Sequence, residues 1–131
     1  VAIGGRGLLI EGAPGSGKSS LALALIDRGA ILVGDDSLLL EKRGTRLFAQ
    51  PHPETRGLVE VRNLGLIAMP VCEEAAVALV LRLDPAAPRF IEEAETAVLQ
   101  SITLPMLRLC PEGPVQAFKA ELALRQFGLA F

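Results

Sequence analysis

Apolar and polar positions along this chain switch between the two periods that distinguish strands from helices. Residues 7–11 (Gly7-Leu8-Leu9-Ile10-Glu11) form a short apolar run that opens into the glycine-rich Gly12-Ala13-Pro14-Gly15-Ser16-Gly17, the punctuation of a buried strand entering a turn. Residues 18–28 hold the strong helix formers Leu21, Ala22, Leu23, Ala24, Leu25 and Ile26, and Gly29 stands where a C-terminal cap belongs, which predicts a helix of about three turns. Ala30-Ile31-Leu32-Val33 is a second apolar run, stopped by Gly34 and Asp35-Asp36, so the pattern predicts a compact βαβ unit. Residues 37–41 and 45–49 read as two short strands around a turn at Gly44, and residues 50–57, with Pro51 and Pro53, read as a loop. Residues 58–62 alternate, with Glu60 and Arg62 on one face and Val59 and Val61 on the other. The continuous apolar run 75–83, ending at Asp84-Pro85, predicts a central strand. Residues 86–100 read as a proline-interrupted connection, and 101–109 as a late strand or a strand pair broken at Pro105. Pro114, the Val115, Phe118, Leu122 spacing and Gly128 describe a closing amphipathic helix with those three residues on its apolar face.

Composition narrows the function classes. The 131 residues, half of them hydrophobic, suit one domain with its own core. The formal charge of −2, with no Trp or Tyr, offers neither a basic stripe nor stacking platforms, so no nucleic-acid partner is expected. Cys72 and Cys110, far apart in apolar surroundings, suit free thiols in a reducing compartment, and the expected setting is cytoplasmic. The longest unbroken apolar run, residues 75–81, is far short of a bilayer span, and no membrane association is expected. The chain opens on Val1-Ala2-Ile3 with no start methionine, so an upstream segment is expected to be missing from residues 1–131.

The strongest chemical signal is Gly12-Ala13-Pro14-Gly15-Ser16-Gly17-Lys18-Ser19, a full G-x-x-x-x-G-K-[ST] match set between an expected strand and an expected helix. The glycines let backbone N–H groups turn inward on phosphate oxygens, and the helix N-terminus adds partial positive charge. Lys18 is placed to reach the β- and γ-phosphates and Ser19 to ligate Mg²⁺, with Ser20 following in the first turn. The bland rival is a glycine-rich turn that only caps a helix.

Asp35 and Asp36 end an apolar run, the setting in which a phosphate-loop protein places its metal-orienting acid. One can order metal waters while the other accepts a proton, and either could instead be part of a solvated turn. Glu60 beside Arg62 reads first as a solvated or cross-strand pair and only second as a functional acid. His52, flanked by prolines, reads as a loop residue. No His/Cys metal cluster and no nucleophilic triad has sequence support.

Three segments together, 12–19, Val33-Gly34-Asp35-Asp36, and Gly57-Leu58-Val59-Glu60-Val61-Arg62-Asn63-Leu64-Gly65-Leu66-Ile67, resemble the C-terminal catalytic domain of HPr kinase/phosphorylase. The resemblance covers residues 1–67, and the tail resembles short, alphaproteobacterial versions of the domain. It implies a serine kinase that phosphorylates HPr, the small phosphocarrier of the sugar phosphotransferase system, from ATP, with phosphorolysis to pyrophosphate as the reverse reaction. It further implies that Lys18 and the loop hold the β-phosphate, that Ser19 and Glu60 approach the metal, and that Asp35 is the general base. Asp36 would support the metal site or orient that base, and the assembly would be a homo-oligomer, a hexamer. Two departures stand out: Asn63 where the signature usually has glycine, and a direct run from Ile67 to the residue 75 strand where the family carries a longer, arginine-bearing segment. No residue here matches the family's histidine ahead of the first strand.

The expectation is an α/β, P-loop kinase-like domain with a mixed, partly antiparallel sheet and flanking helices, using ATP and Mg²⁺. The rivals are a small-molecule P-loop kinase and a non-catalytic ATP-binding regulatory module.

Overall fold

The computed structural model describes the whole chain, Val1–Phe131, with nine strands and two helices in the order β1 (Ala2–Ile3), β2 (Arg6–Glu11), α1 (Lys18–Asp27), β3 (Leu38–Arg43), β4 (Arg46–Pro51), β5 (Leu58–Val61), β6 (Gly65–Ala68), β7 (Ala75–Leu83), β8 (Glu95–Leu99), β9 (Ile102–Leu109) and α2 (Gln116–Phe127). The apolar run of β7 takes the centre of a seven-stranded mixed sheet, as its burial from end to end requires. Along one edge it pairs in parallel with β2. Its other edge is shared: β4 runs antiparallel to it at Ala75 and Ala76, and β9 runs parallel to it from Val80 to Leu83. β1, β3 and β8 lie outside β2, β4 and β9. β5 and β6 pair only with each other, as a separate antiparallel hairpin.

Both helices pack on one face, where Leu21, Leu25, Ala120 and Leu124 meet Leu8, Leu79 and Leu81. The opposite face is closed by strand residues alone, among them Val77, Val80, Leu47 and Met106. One irregularity links the faces. Gly7 pairs with Val77 but Leu8 with Leu79, so Ala78 is an extra residue in β7. Val77 therefore points to one core while Ala78 and Leu79 point to the other, and the Ala78 carbonyl accepts the Leu129 N–H at 2.9 Å. Gly7 has no room here, since a Cβ would stand 3.1 Å from the Ala76 oxygen and 3.2 Å from the Val77 Cα.

Several expectations hold: the first strand, α1 with Gly29 at φ +108° as its stop, the hairpin around Gly44, and the central strand. Others need correction. Residues 30–33 do not complete a βαβ unit. β1 and β7 already occupy both edges of β2, so this segment makes only isolated bridges, Ile31 to Ala2 and Leu32 to Val71. The parallel partner of β2 comes instead from β7, far along the chain. The 86–100 connection contains β8, and β9 runs unbroken through Pro105, whose missing N–H costs nothing because the β7 ladder starts at Met106. On α2 the buried stripe is Ala117, Ala120 and Leu124, while Val115, Phe118 and Leu122 are exposed. The small alanines let α2 approach the sheet closely, and the Arg28 guanidinium lies over Phe118 at 5.3 Å. No helix is long and apolar enough to cross a membrane, and both cysteines are free.

Candidate functional site

The glycine-rich loop connects the end of β2 to the start of α1, so the helix axis begins where the strand ends. Gly15 and Gly17 adopt φ of +77° and +100°, angles that a side chain disfavours, and this turns the loop back on itself. The Ser16 amide is used internally, donating to the Ala13 carbonyl at 3.0 Å. The amides of Gly15, Gly17, Lys18, Ser19 and Ser20 donate to no group in the protein, and the first helical bond runs from the Leu21 N–H to the Gly17 carbonyl. Five free donors at a helix N-terminus form an anion cradle. Lys18 Nζ donates to the Gly12 carbonyl at 3.0 Å, which holds its ammonium across the loop. Beneath the loop the Ser16 hydroxyl is buried without a partner, packed so closely against Gly12 that a Cβ there would lie 2.5 Å from it. These features fit a polyphosphate.

Asp35 joins the loop to the rest of the site. Its Oδ1 accepts the Ser19 hydroxyl at 2.8 Å, and its Oδ2 accepts the Glu60 main-chain N–H at 3.4 Å. Gly34 allows the tight turn that delivers it, because a Cβ there would meet the Ser37 carbonyl at 2.6 Å. Asp36 is exposed and, with Lys18 and Asp35, lines a recess of about 200 Å³ whose apolar wall includes Leu8, Ile10 and Leu38. Lys18, Ser19, Asp35 and Asp36 thus converge from two distant segments. Glu60 reaches Asp35 through its amide, and its side chain is exposed. No three His, Cys, Asp or Glu side chains gather to hold a metal, so a divalent ion at Ser19 would share its coordination with ligand phosphates and water. His52 serves its own loop, accepting the Glu54 N–H at Nδ1.

The β5–β6 hairpin approaches this site as a unit. Val59 is fully buried and anchors it, and the Met69 N–H closes its base on the Gly57 carbonyl at 2.7 Å. At its tip the Leu64 N–H bonds the Val61 carbonyl at 2.9 Å, with Asn63 at φ +74°. That is the left-handed position of a tight turn, and asparagine is the residue after glycine that accepts it best. The substitution at this signature position is therefore accommodated.

Two polar links beside the loop escaped sequence reasoning. Arg82 donates through Nε and Nη2 to Glu11 Oε1 at 3.1 and 2.8 Å, tying β7 to the residue just before Gly12. Arg108 bridges Asp84 and Glu95, both at 2.9 Å. The Ala86 amide and then Arg108 hold the Asp84 carboxyl below its ordinary range. The partners lie too far apart in sequence for any spacing rule; only the β2–β7–β9 register brings Glu11, Arg82 and Arg108 into one row.

Comparison with known proteins places the chain among relatives of the same fold. Residues 1–83 match the family model described as the HPr serine kinase C-terminal domain. The chain is 43% identical over 67 residues to the HPr kinase/phosphorylase of Mycoplasmopsis pulmonis, covering 51% of this chain and 22% of that protein. It is 31% identical over 119 residues to that of Chlorobium chlorochromatii, covering 80% and 36%. It spans only about a fifth to a third of the length of such relatives. Among solved structures, the HPr(Ser) kinase/phosphatase from Coxiella burnetii superposes with a TM-score of 0.82 at 26% identity, over 94% of this chain and 88% of that one.

Proposed function

The chain belongs to the HPr serine kinase C-terminal domain family, and from that membership we propose that it is an ATP-dependent serine kinase acting on an HPr-like phosphocarrier. The observation that carries this reading is the five free amides of Gly15, Gly17, Lys18, Ser19 and Ser20 set against the Ser19–Asp35 hydrogen bond. The serine oxygen of the acceptor bonds to the γ-phosphorus of ATP as the bond from that phosphorus to the β-phosphate oxygen breaks. ADP leaves with the electron pair, and the hydroxyl proton passes to Asp35. Such a transfer depends on positioning and charge neutralisation more than on covalent chemistry. Lys18 and the loop amides hold the phosphates, and Asp35 also fixes the direction of the Ser19 hydroxyl. Ser19 and Glu60 would hold Mg²⁺, whose charge would offset that of the phosphates. Asp36, on the same recess, orients Asp35 or the metal waters. In reverse, inorganic phosphate attacks the phosphoserine, pyrophosphate forms, and Asp35 returns the proton to the serine oxygen. The resemblance also implies a hexamer, and the apolar face of Val115, Phe118 and Leu122 on α2 offers a surface for such packing.

The test is transfer of labelled γ-phosphate from Mg·ATP to HPr and to HPr with its acceptor serine changed to alanine, followed by inorganic phosphate. Label confined to the serine form, and released as pyrophosphate, is expected. ATP binding without transfer would overturn the kinase reading and favour a nucleotide-responsive module.

A further inference from the structure

Resting on the kinase reading above, we propose that Arg82 is a positioning residue: through Glu11 it sets the Gly12 carbonyl that holds the Lys18 ammonium across the phosphate loop. Five arginines pair with carboxylates: Arg28, Arg43, Arg56, Arg82 and Arg108. Of these pairs, only Arg82–Glu11 has a member next to the phosphate loop in sequence. The Arg82 guanidinium donates through Nε and Nη2 to a single oxygen, Glu11 Oε1, at 3.1 and 2.8 Å. A planar fork closing on one acceptor fixes that acceptor's direction, which a single flexible contact does not. Both side chains are half-buried, so the pair is neither a core bond nor a loose surface contact.

The pair stands where such a grip matters. Glu11 is the last residue of β2, and Glu11–Arg82 is the last register pair of the parallel β2–β7 ladder. Beyond it the chain leaves the sheet, and the ladder no longer orients the next peptide. β7 supplies the hold with two consecutive residues. Arg82 grips Glu11, and Leu83 packs so near Gly12 that a Cβ there would lie 3.3 Å from Leu83 Cβ. The end of β7 is itself well anchored. Leu81 and Leu83 are buried, the Asp84 N–H donates to the Leu109 carbonyl at 2.9 Å, and Arg108, the register neighbour of Arg82, holds the Asp84 carboxylate. What is held in turn is the Gly12 carbonyl, which accepts Lys18 Nζ at 3.0 Å. A lysine is a compact charge on a flexible four-carbon stem, so its ammonium stays in one place only where an acceptor is fixed. Ordering Lys18 before the nucleotide arrives lowers the entropic cost of engaging the phosphates. Arg82 touches no phosphate and acts only through Glu11, Gly12 and Lys18. An ion pair this open to solvent adds little to global stability, so its loss is expected at Lys18 rather than in the fold.

The test has two readouts on the unsubstituted chain, Arg82→Ala, Arg82→Lys and the doubly neutral Glu11→Ala/Arg82→Ala, each shown to be folded by thermal unfolding. The first is trace acetylation of the nucleotide-free chain, read by mass spectrometry at Lys18 against the exposed Lys42 and Lys119, the other two lysines of the sequence. The second is Mg·ATP affinity by calorimetry. Releasing Lys18 is expected to raise its relative labelling about threefold and to weaken Mg·ATP binding about fivefold, in Arg82→Ala and in the double variant alike. Arg82→Lys, which keeps the charge without the fork, should fall between. Restored affinity in the double variant overturns the proposal, because the unpaired Glu11 charge alone would then explain the loss. Unchanged Lys18 labelling overturns it, as does a rise at all three lysines together, which would mark a loosened fold. Raised labelling with unchanged Mg·ATP affinity overturns it too, with the nucleotide site left intact. Failure of the unsubstituted chain to bind Mg·ATP removes the kinase reading, and the role of Arg82 falls with it.

Discussion

A methyl group on Gly12 would stand 2.5 Å from the Ser16 hydroxyl and 3.3 Å from Leu83 Cβ. Two neighbours would have to move, one of them within the glycine-rich loop itself. Gly12→Ala is therefore expected to weaken Mg·ATP binding about tenfold, equivalent to about 1.4 kcal/mol. Adding Ser16→Ala removes the nearer obstacle and should recover part of that loss, which titration calorimetry would detect. At this scale much of the site was legible in the sequence. A phosphate loop is local, and its glycines, Lys18 and Ser19 occupy consecutive positions whose geometry follows from their order. Asp35 was legible as an acid at the end of an apolar run, but its hydrogen bond to Ser19 depends on where residues 30–34 travel. The contact of Glu60 was not legible, because it is made by the backbone, and no side-chain pattern reports where an amide points. The orphaned Ser16 hydroxyl was hidden for a similar reason: the motif leaves its position open to any residue.

Elements obey weaker local rules, and α2 illustrates why. Two stripes on it have helical spacing, Val115-Phe118-Leu122 and Ala117-Ala120-Leu124, about 160° apart and so on nearly opposite sides of the axis. Hydrophobicity favours the first, yet the second is buried, because its alanines allow the helix to sit close to β7 and α1. Leu124 is the large residue on that buried stripe and is 1% exposed. Leu124→Ala should cost about 2–5 kcal/mol of stability in a denaturant titration. Phe118→Ala, at a position 44% exposed, should cost much less. A reversed order would restore the first stripe as the core face. The same competition explains residues 30–33 and β8. An apolar run becomes a strand only if an edge is free to receive it, and edge availability is decided by partners tens of residues away.

For the whole molecule, exposed ion pairs join pieces that the sheet and helices leave apart. Arg28 and Glu121 connect the end of α1 to α2, Arg43 joins Glu41 to Glu74, and Arg108 joins the ends of β7 and β8. The arginine partners hold Glu121, Glu41 and Glu74 below the ordinary glutamate value of 4.5, and the Ala86 amide with Arg108 holds Asp84 below 3.8. Carboxylates with depressed values in the folded state stabilise it fully above their unfolded values, and that contribution is lost as pH falls through the depressed ones. Melting temperature should thus be flat down to about pH 5 and fall below it. Arg108→Gln should flatten part of that fall, because Asp84 would then have less to lose on protonation. Added salt should shrink the difference between the two proteins, since these pairs are open to solvent.

The β5–β6 hairpin shares no ladder with the seven-stranded sheet, although it reaches Asp35 through the Glu60 amide. Its hydrogen bonds are nearly self-contained, so its sequence can drift, or be exchanged for that of a relative, without unpairing any strand that supports the fold. Under the kinase reading proposed above, a lineage would thus alter which acceptor it favours, or the balance between forward and reverse reactions, through changes to this one hairpin. Mutational robustness and catalytic adaptability, which compete in most active sites, are here assigned to separate parts of the chain.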